Sequence, residues 1–165
     1  MFNPDSLRLP FFDDSHRALH DTAHTWSRQH LTDRVHHGSV DARCQELTQV
    51  LGDAGWLRYC VPAAYGGIFD ELDSRSLCLM RQTLGYYDGL ADFAFVMQGL
   101  GSGPISLFGS DALKQKYLPQ VARGKMLAAF ALSEPDAGSD VAAMTTRATR
   151  TASGYRINGV KDRKS

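Results

Sequence analysis

The chain has 165 residues, with 18 Lys and Arg against 18 Asp and Glu, so its formal net charge is zero; 43% of the residues are hydrophobic and 22% charged. This is an ordinary globular composition on a chain long enough to bury a core. No clustered cationic excess invites nucleic acid or an anionic surface as partner, and the longest apolar stretch, around Met126–Leu132, falls far short of the roughly 20 residues that cross a bilayer. Asp13 and Asp14 stand where a signal peptide needs its apolar stretch, which argues against secretion. Cys44, Cys60 and Cys78 are odd in number and lack CxxC spacing. They read as reduced, mostly buried thiols of a cytoplasmic protein.

From Ser15 to about Leu31, Leu19, Ala23 and Trp26 recur at helical spacing and predict an amphipathic helix. Ser39 is the expected N-cap of a second, whose stripe of Val40, Cys44, Leu47, Val50, Leu51 and Ala54 ends at Gly55. Asp70 opens a third segment, in which Leu72, Leu77, Met80, Leu84 and Tyr87 share a face. A fourth runs from Leu90 to about Phe108; Gly99, Gly101, Gly103 and Pro104 within it predict close backbone packing or a kink. Ser110 caps a short fifth helix carrying Leu113, Tyr117 and Leu118 and ended by Pro119. Beyond Gly124 the period changes to two. Met126, Ala128, Phe130 and Leu132 read as a strand, and Thr145–Thr151 and Tyr155–Lys161 as a hairpin around Ala152-Ser153-Gly154. Helices followed by strands place a domain boundary near Gly124: residues 1–124 form a helical domain, and 125–165 the incomplete start of a β-domain.

Three constellations invite a chemical reading. His16, His20 and His24 recur every four residues, but they flank the apolar stripe without an acidic or thiol partner at ligand spacing. They are expected at a half-exposed helix boundary, with no metal. Gly99, Gly101 and Gly103 lack the third glycine of a dinucleotide fingerprint, Pro104 standing there instead, so helix packing is the expected role. The segment Phe130–Asp140, FALSEPDAGSD, delivers two hydroxyls, a stiffening Pro135 and Gly138 into a loop. Such a loop either holds a polar ring system or phosphate, or is an ordinary strand-ending turn.

That segment resembles the flavin-binding signature of the acyl-CoA dehydrogenase family, approximately [AC]-[VL]-[ST]-E-P-x-A-G-S-D. Further stretches resemble the family in the same order: GWLRYCVPAAYGG (Gly55–Gly67), GSGPISLFGSDALKQKYLP (Gly101–Pro119) and YRINGVK (Tyr155–Lys161). The resemblance implies a mainly α chain, the family's N-terminal helical domain followed by the first strands of a truncated β-barrel domain. It implies FAD as cofactor, with Phe130, Ala131, Leu132, Ser133, Gly138 and Ser139 binding it. Backbone groups near Ala131 and Leu132 would meet the flavin pyrimidine edge, the Ser133 hydroxyl would bond near N5, and Ser139 would lie near the pyrophosphate and the acyl-CoA substrate. Glu134 is by the same analogy a structural hydrogen-bonding residue and Asp140 a turn cap, the family's catalytic carboxylate coming from a C-terminal bundle. No catalytic residue is therefore expected in this chain, which by itself should not turn over substrate. The implied partners are an acyl-CoA or acyl-carrier-protein thioester, an electron-accepting flavoprotein and further copies of the same protein. Related flavin oxidases, oxygenases and acyl-carrier-protein dehydrogenases share the pattern, and a non-catalytic helical assembly module is the alternative of another class. The sequence departs from the family at Asp162–Ser165, where Arg163 occupies the position of a Trp that covers the flavin.

Overall fold

The computed structural model describes residues 4–32 and 38–162; His36, His37 and Arg163 lie outside them. The chain divides into two compact units, Met1–Ala129 and Phe130–Ser165.

Among the described residues the first unit holds five α-helices: α1 (Asp14–His30), α2 (Val40–Asp53), α3 (Ser74–Tyr87), α4 (Gly89–Phe108) and α5 (Asp111–Ala122). Each begins at a side chain that accepts from the free amides of the first turn: Asp13, Ser39, Asp73, Asp88 and Ser110 in order. Helix α3 packs on α1 and α4, and α4 also packs on α2 and α5. Their shared core contains Leu19, Ala23, Leu47, Leu51, Leu57, Met80, Leu84 and Phe95. A smaller cluster joins Val61 to Leu118, Val121 and Ala122 of α5.

Two helix expectations and one strand need correction. The third helix opens at Asp73, not Asp70, and Leu72 lies outside it, 65% exposed. Asp73 wins because its carboxylate meets Arg75 N, Ser76 Oγ at 2.7 Å and His16 of α1 at 2.9 Å. The fifth helix does not stop at Pro119 but continues to Ala122. Proline removes one hydrogen bond there, yet the next turn buries Val121 and Ala122 and holds the helix on. Residues 126–132 form no strand. Met126 and Ala128 are half-buried and Leu127 and Ala129 exposed, so the period of two reports one covered side. That cover is α4: Ala128 N–H donates to the buried Gln98 Oε1 at 2.9 Å. A Cβ on Gly101 would stand 2.6 Å from the Ala129 nitrogen, so the expected close backbone packing is present.

In the second unit β1 (Arg147–Thr151) and β2 (Gly154–Asn158) pair antiparallel, from Arg147 opposite Asn158 to Thr151 opposite Gly154. Gly154 and Gly159 have φ of 144° and 158°, and all ten strand residues are exposed.

Candidate functional site

Phe130–Ser133 leads into a tight turn closed by Glu134 and Ala137, whose backbones exchange bonds of 2.8 and 3.1 Å. Pro135 and Asp136 form the exposed tip. The turn folds the segment back on itself, so Ser133 and Gly138 stand at its open end. All six residues expected to meet a cofactor, Phe130, Ala131, Leu132, Ser133, Gly138 and Ser139, thus lie on this one segment. Asp140 caps the following turn, accepting from Ala142 N–H at 3.1 Å, the role expected of it.

The turn is fixed from beneath by Glu134. Only 3% exposed, its carboxylate accepts from Thr145 N–H at 2.6 Å, Thr145 Oγ1 at 3.0 Å, Thr146 N–H at 3.1 Å and Lys161 Nζ at 2.9 Å. The Thr146 side chain, the Thr145 amide and Lys161 hold this carboxyl far below the usual carboxylate range. An ionised group with its lone pairs already engaged is a poor proton acceptor, so Glu134 is a structural knot and not a base. Thr145, Thr146 and Lys161 were not singled out from the sequence. The available signal was that a buried glutamate requires a cation or several donors, but the residues that supply them are 11 to 27 positions away.

Donors and acceptors are unequally used along the approach strip. The Leu132 carbonyl accepts from Lys161 Nζ at 3.0 Å and the Ser133 carbonyl from Asp162 N–H at 2.9 Å. The N–H groups of Leu132 and Ser133 and the Ser133 hydroxyl have no partner among the described residues. A strip with occupied carbonyls and open donors suits an acceptor-rich group, such as the edge of a flavin ring. At Gly138 nothing lies within 4 Å of a built Cβ, and the φ is not among the positive ones. Neither this chain's backbone nor its packing requires a glycine there, whereas a ligand approaching the backbone closely would.

The other constellations resolve into packing. His16 and His20 are not half-exposed but 2% and 7% exposed, because α1 presses them against neighbouring groups. His16 sits between Asp13 and Asp73 at 2.8 and 2.9 Å, and His24 meets Tyr87 Oη at 3.0 Å. No group of three metal-binding side chains exists among the described residues. A Cβ on Gly99 would stand 3.7 Å from the Cys60 sulfur, ordinary contact within the helix packing. The three thiols are free, but only Cys60 is buried; Cys44 is half-buried and Cys78 exposed, because Cys78 falls on the outer side of α3. A groove of about 460 Å³ runs along α4 beside Tyr59, Pro62, Phe69 and Leu72. None of the expected cofactor residues lines it. No helix among the described residues is long and apolar enough to cross a membrane.

Residues 13–125 match the acyl-CoA dehydrogenase N-terminal domain. A probable acyl-CoA dehydrogenase of Mycobacterium leprae is 31% identical over 160 residues, covering 95% of this chain and 39% of the relative. The structure of an acyl-CoA dehydrogenase complexed with FAD from Bacillus anthracis superposes with a TM-score of 0.69 at 34% identity, over 97% of this chain and 27% of that one. Butyryl-CoA dehydrogenase from Megasphaera elsdenii gives 0.72 at 28% identity, over 96% and 40%. The chain belongs to the acyl-CoA dehydrogenase family, whose members are oxidoreductases with FAD as cofactor, and it spans at most about two fifths of the length of these relatives.

Proposed function

We propose that this chain is the N-terminal, flavin-anchoring part of an FAD-dependent acyl-CoA dehydrogenase that desaturates an acyl thioester between its α and β carbons. FAD, when bound, supplies the two-electron oxidant for the β-hydrogen, while a carboxylate outside these residues takes the α-proton. This chain contributes binding and orientation. The open donors of Leu132 and Ser133 hold the ring edge, and Gly138 and Ser139 receive the phosphate-bearing part beside the thioester substrate. Acyl-CoA or acyl-carrier-protein thioesters are the substrates of this reading, a second flavoprotein takes the electrons, and the working protein is a cytoplasmic homo-oligomer.

One observation carries the reading: within the segment that matches the flavin signature, the carbonyls of Leu132 and Ser133 are engaged while their donors are open. The test is FAD affinity set against the melting temperature of the cofactor-free protein. Ser133→Ala removes one hydrogen bond worth on the order of 1 kcal/mol, or about fivefold in Kd. Gly138→Ala is the sharper probe. Its new methyl meets open space in this chain, so the melting temperature should hold while FAD affinity falls severalfold. Equal affinities in both variants would return the loop to an ordinary turn.

A further inference from the structure

Lys161 has no assigned part in the site, yet it is the cation on which the strip is hung. Its ammonium reaches the Leu132 carbonyl at 3.0 Å, Glu134 Oε1 at 2.9 Å and Met144 Sδ at 3.4 Å. One side chain thereby ties the approach strip to the buried carboxylate that fixes the turn. The next residue adds a second tie, Asp162 N–H to the Ser133 carbonyl.

We infer that Lys161 is a positioning residue for the flavin, acting through the peptide group between Leu132 and Ser133; the inference rests on the flavoenzyme reading above. A peptide unit is planar, with its C=O and N–H pointing in opposite directions. Fixing the Leu132 oxygen on Lys161 therefore fixes the aim of the Ser133 N–H, one of the open donors. Asp162 fixes the next peptide plane in the same way, and its N–H is the Glu134 donor that closes the turn. Glu134 in turn neutralises and orients the ammonium, while Thr145 and Thr146 orient Glu134. The hairpin exit thus sets the direction of a donor that lies 28 residues earlier in the sequence.

The experiment compares Lys161→Met, Lys161→Arg and Lys161→Gln in the whole protein, reading FAD affinity, the visible absorption band of bound flavin and the cofactor-free melting temperature. Lys161→Met should weaken FAD binding by about fivefold to tenfold and shift the flavin band, with Lys161→Arg recovering much of both. Should Lys161→Met not fold, Lys161→Gln, which keeps a neutral donor, decides by the same two readings. A lowered melting temperature with unchanged affinity and band would make Lys161 a stabilising residue only and overturn its positioning role. Failure of the unsubstituted protein to bind FAD would overturn the flavoenzyme reading itself.

Discussion

Single side chains here carry more than one duty, and Asp73 shows how that becomes pH dependence. Partial burial works to raise its pKa, but hydrogen bonds from Ser76, His16 and Arg75 prevail and hold it far below its ordinary value of 3.8. A carboxylate depressed in the folded state contributes stability that is fully present above the unfolded value and is lost as pH falls through the folded one. Asp73→Asn should therefore lower the melting temperature at neutral pH, and the gap to the unsubstituted protein should close progressively below about pH 4. A gap independent of pH would show that the hydrogen bonds matter without the charge. Cysteines give a second residue-level contrast. Burial pushes the Cys60 thiol up to about 12, whereas Cys78 is exposed. Since the thiolate is the reactive form, a thiol reagent at neutral pH should label Cys78 at once and Cys60 only with unfolding. Prompt labelling of both in the native protein would contradict the packing around Cys60.

Among the elements, the helix caps double as ties between helices. Asp73 starts α3 and holds His16 of α1; Asp88 starts α4 and holds the buried Arg43 of α2 at 3.2 Å. Asp88→Ala should cost about 3 kcal/mol, since it removes a cap and one partner of a buried cation together. Adding Arg43→Met should recover part of that loss in a double-mutant cycle measured by denaturant unfolding. Gly101→Ala should cost about 1 to 3 kcal/mol by the same measurement, because the added methyl meets the Ala129 backbone and not a movable side chain. These ties also mark what the sequence could show. Ser39 and Ser110 were legible as caps because their competition is local. Asp70 was the cap read from the sequence, whereas Asp73 prevails through Arg75 and Ser76 and through His16, 57 residues away. Likewise the alternation from Met126 to Leu132 read as a strand, but a strand needs a neighbour, which no local pattern supplies; Met126 and Ala128 keep a covered side, under α4. The loop at 130–140 was legible as a motif, while Glu134's role became physical only with the donors that surround it.

At the scale of the whole molecule, large apolar side chains stand open on both units. Leu107 and Phe108 at the end of α4 are 72% and 86% exposed, and Tyr155 and Ile157 of the hairpin 70% and 74%. A two-stranded hairpin without a covered face has little independent stability, and exposed apolar patches of this kind seek cover. Residues 1–165 produced alone should self-associate and bind an apolar-surface dye. A monodisperse monomer without dye binding, by sedimentation and fluorescence, would count against this. The knot at Glu134 adds a limit on how the protein can be dissected. Its donors come from 145, 146 and 161, and Asp162 holds the strip at Ser133. Transplanting the ten-residue signature into another scaffold would carry the letters without the anchor. The shortest portable piece that keeps this loop in its shape runs from 130 to 162, hairpin included.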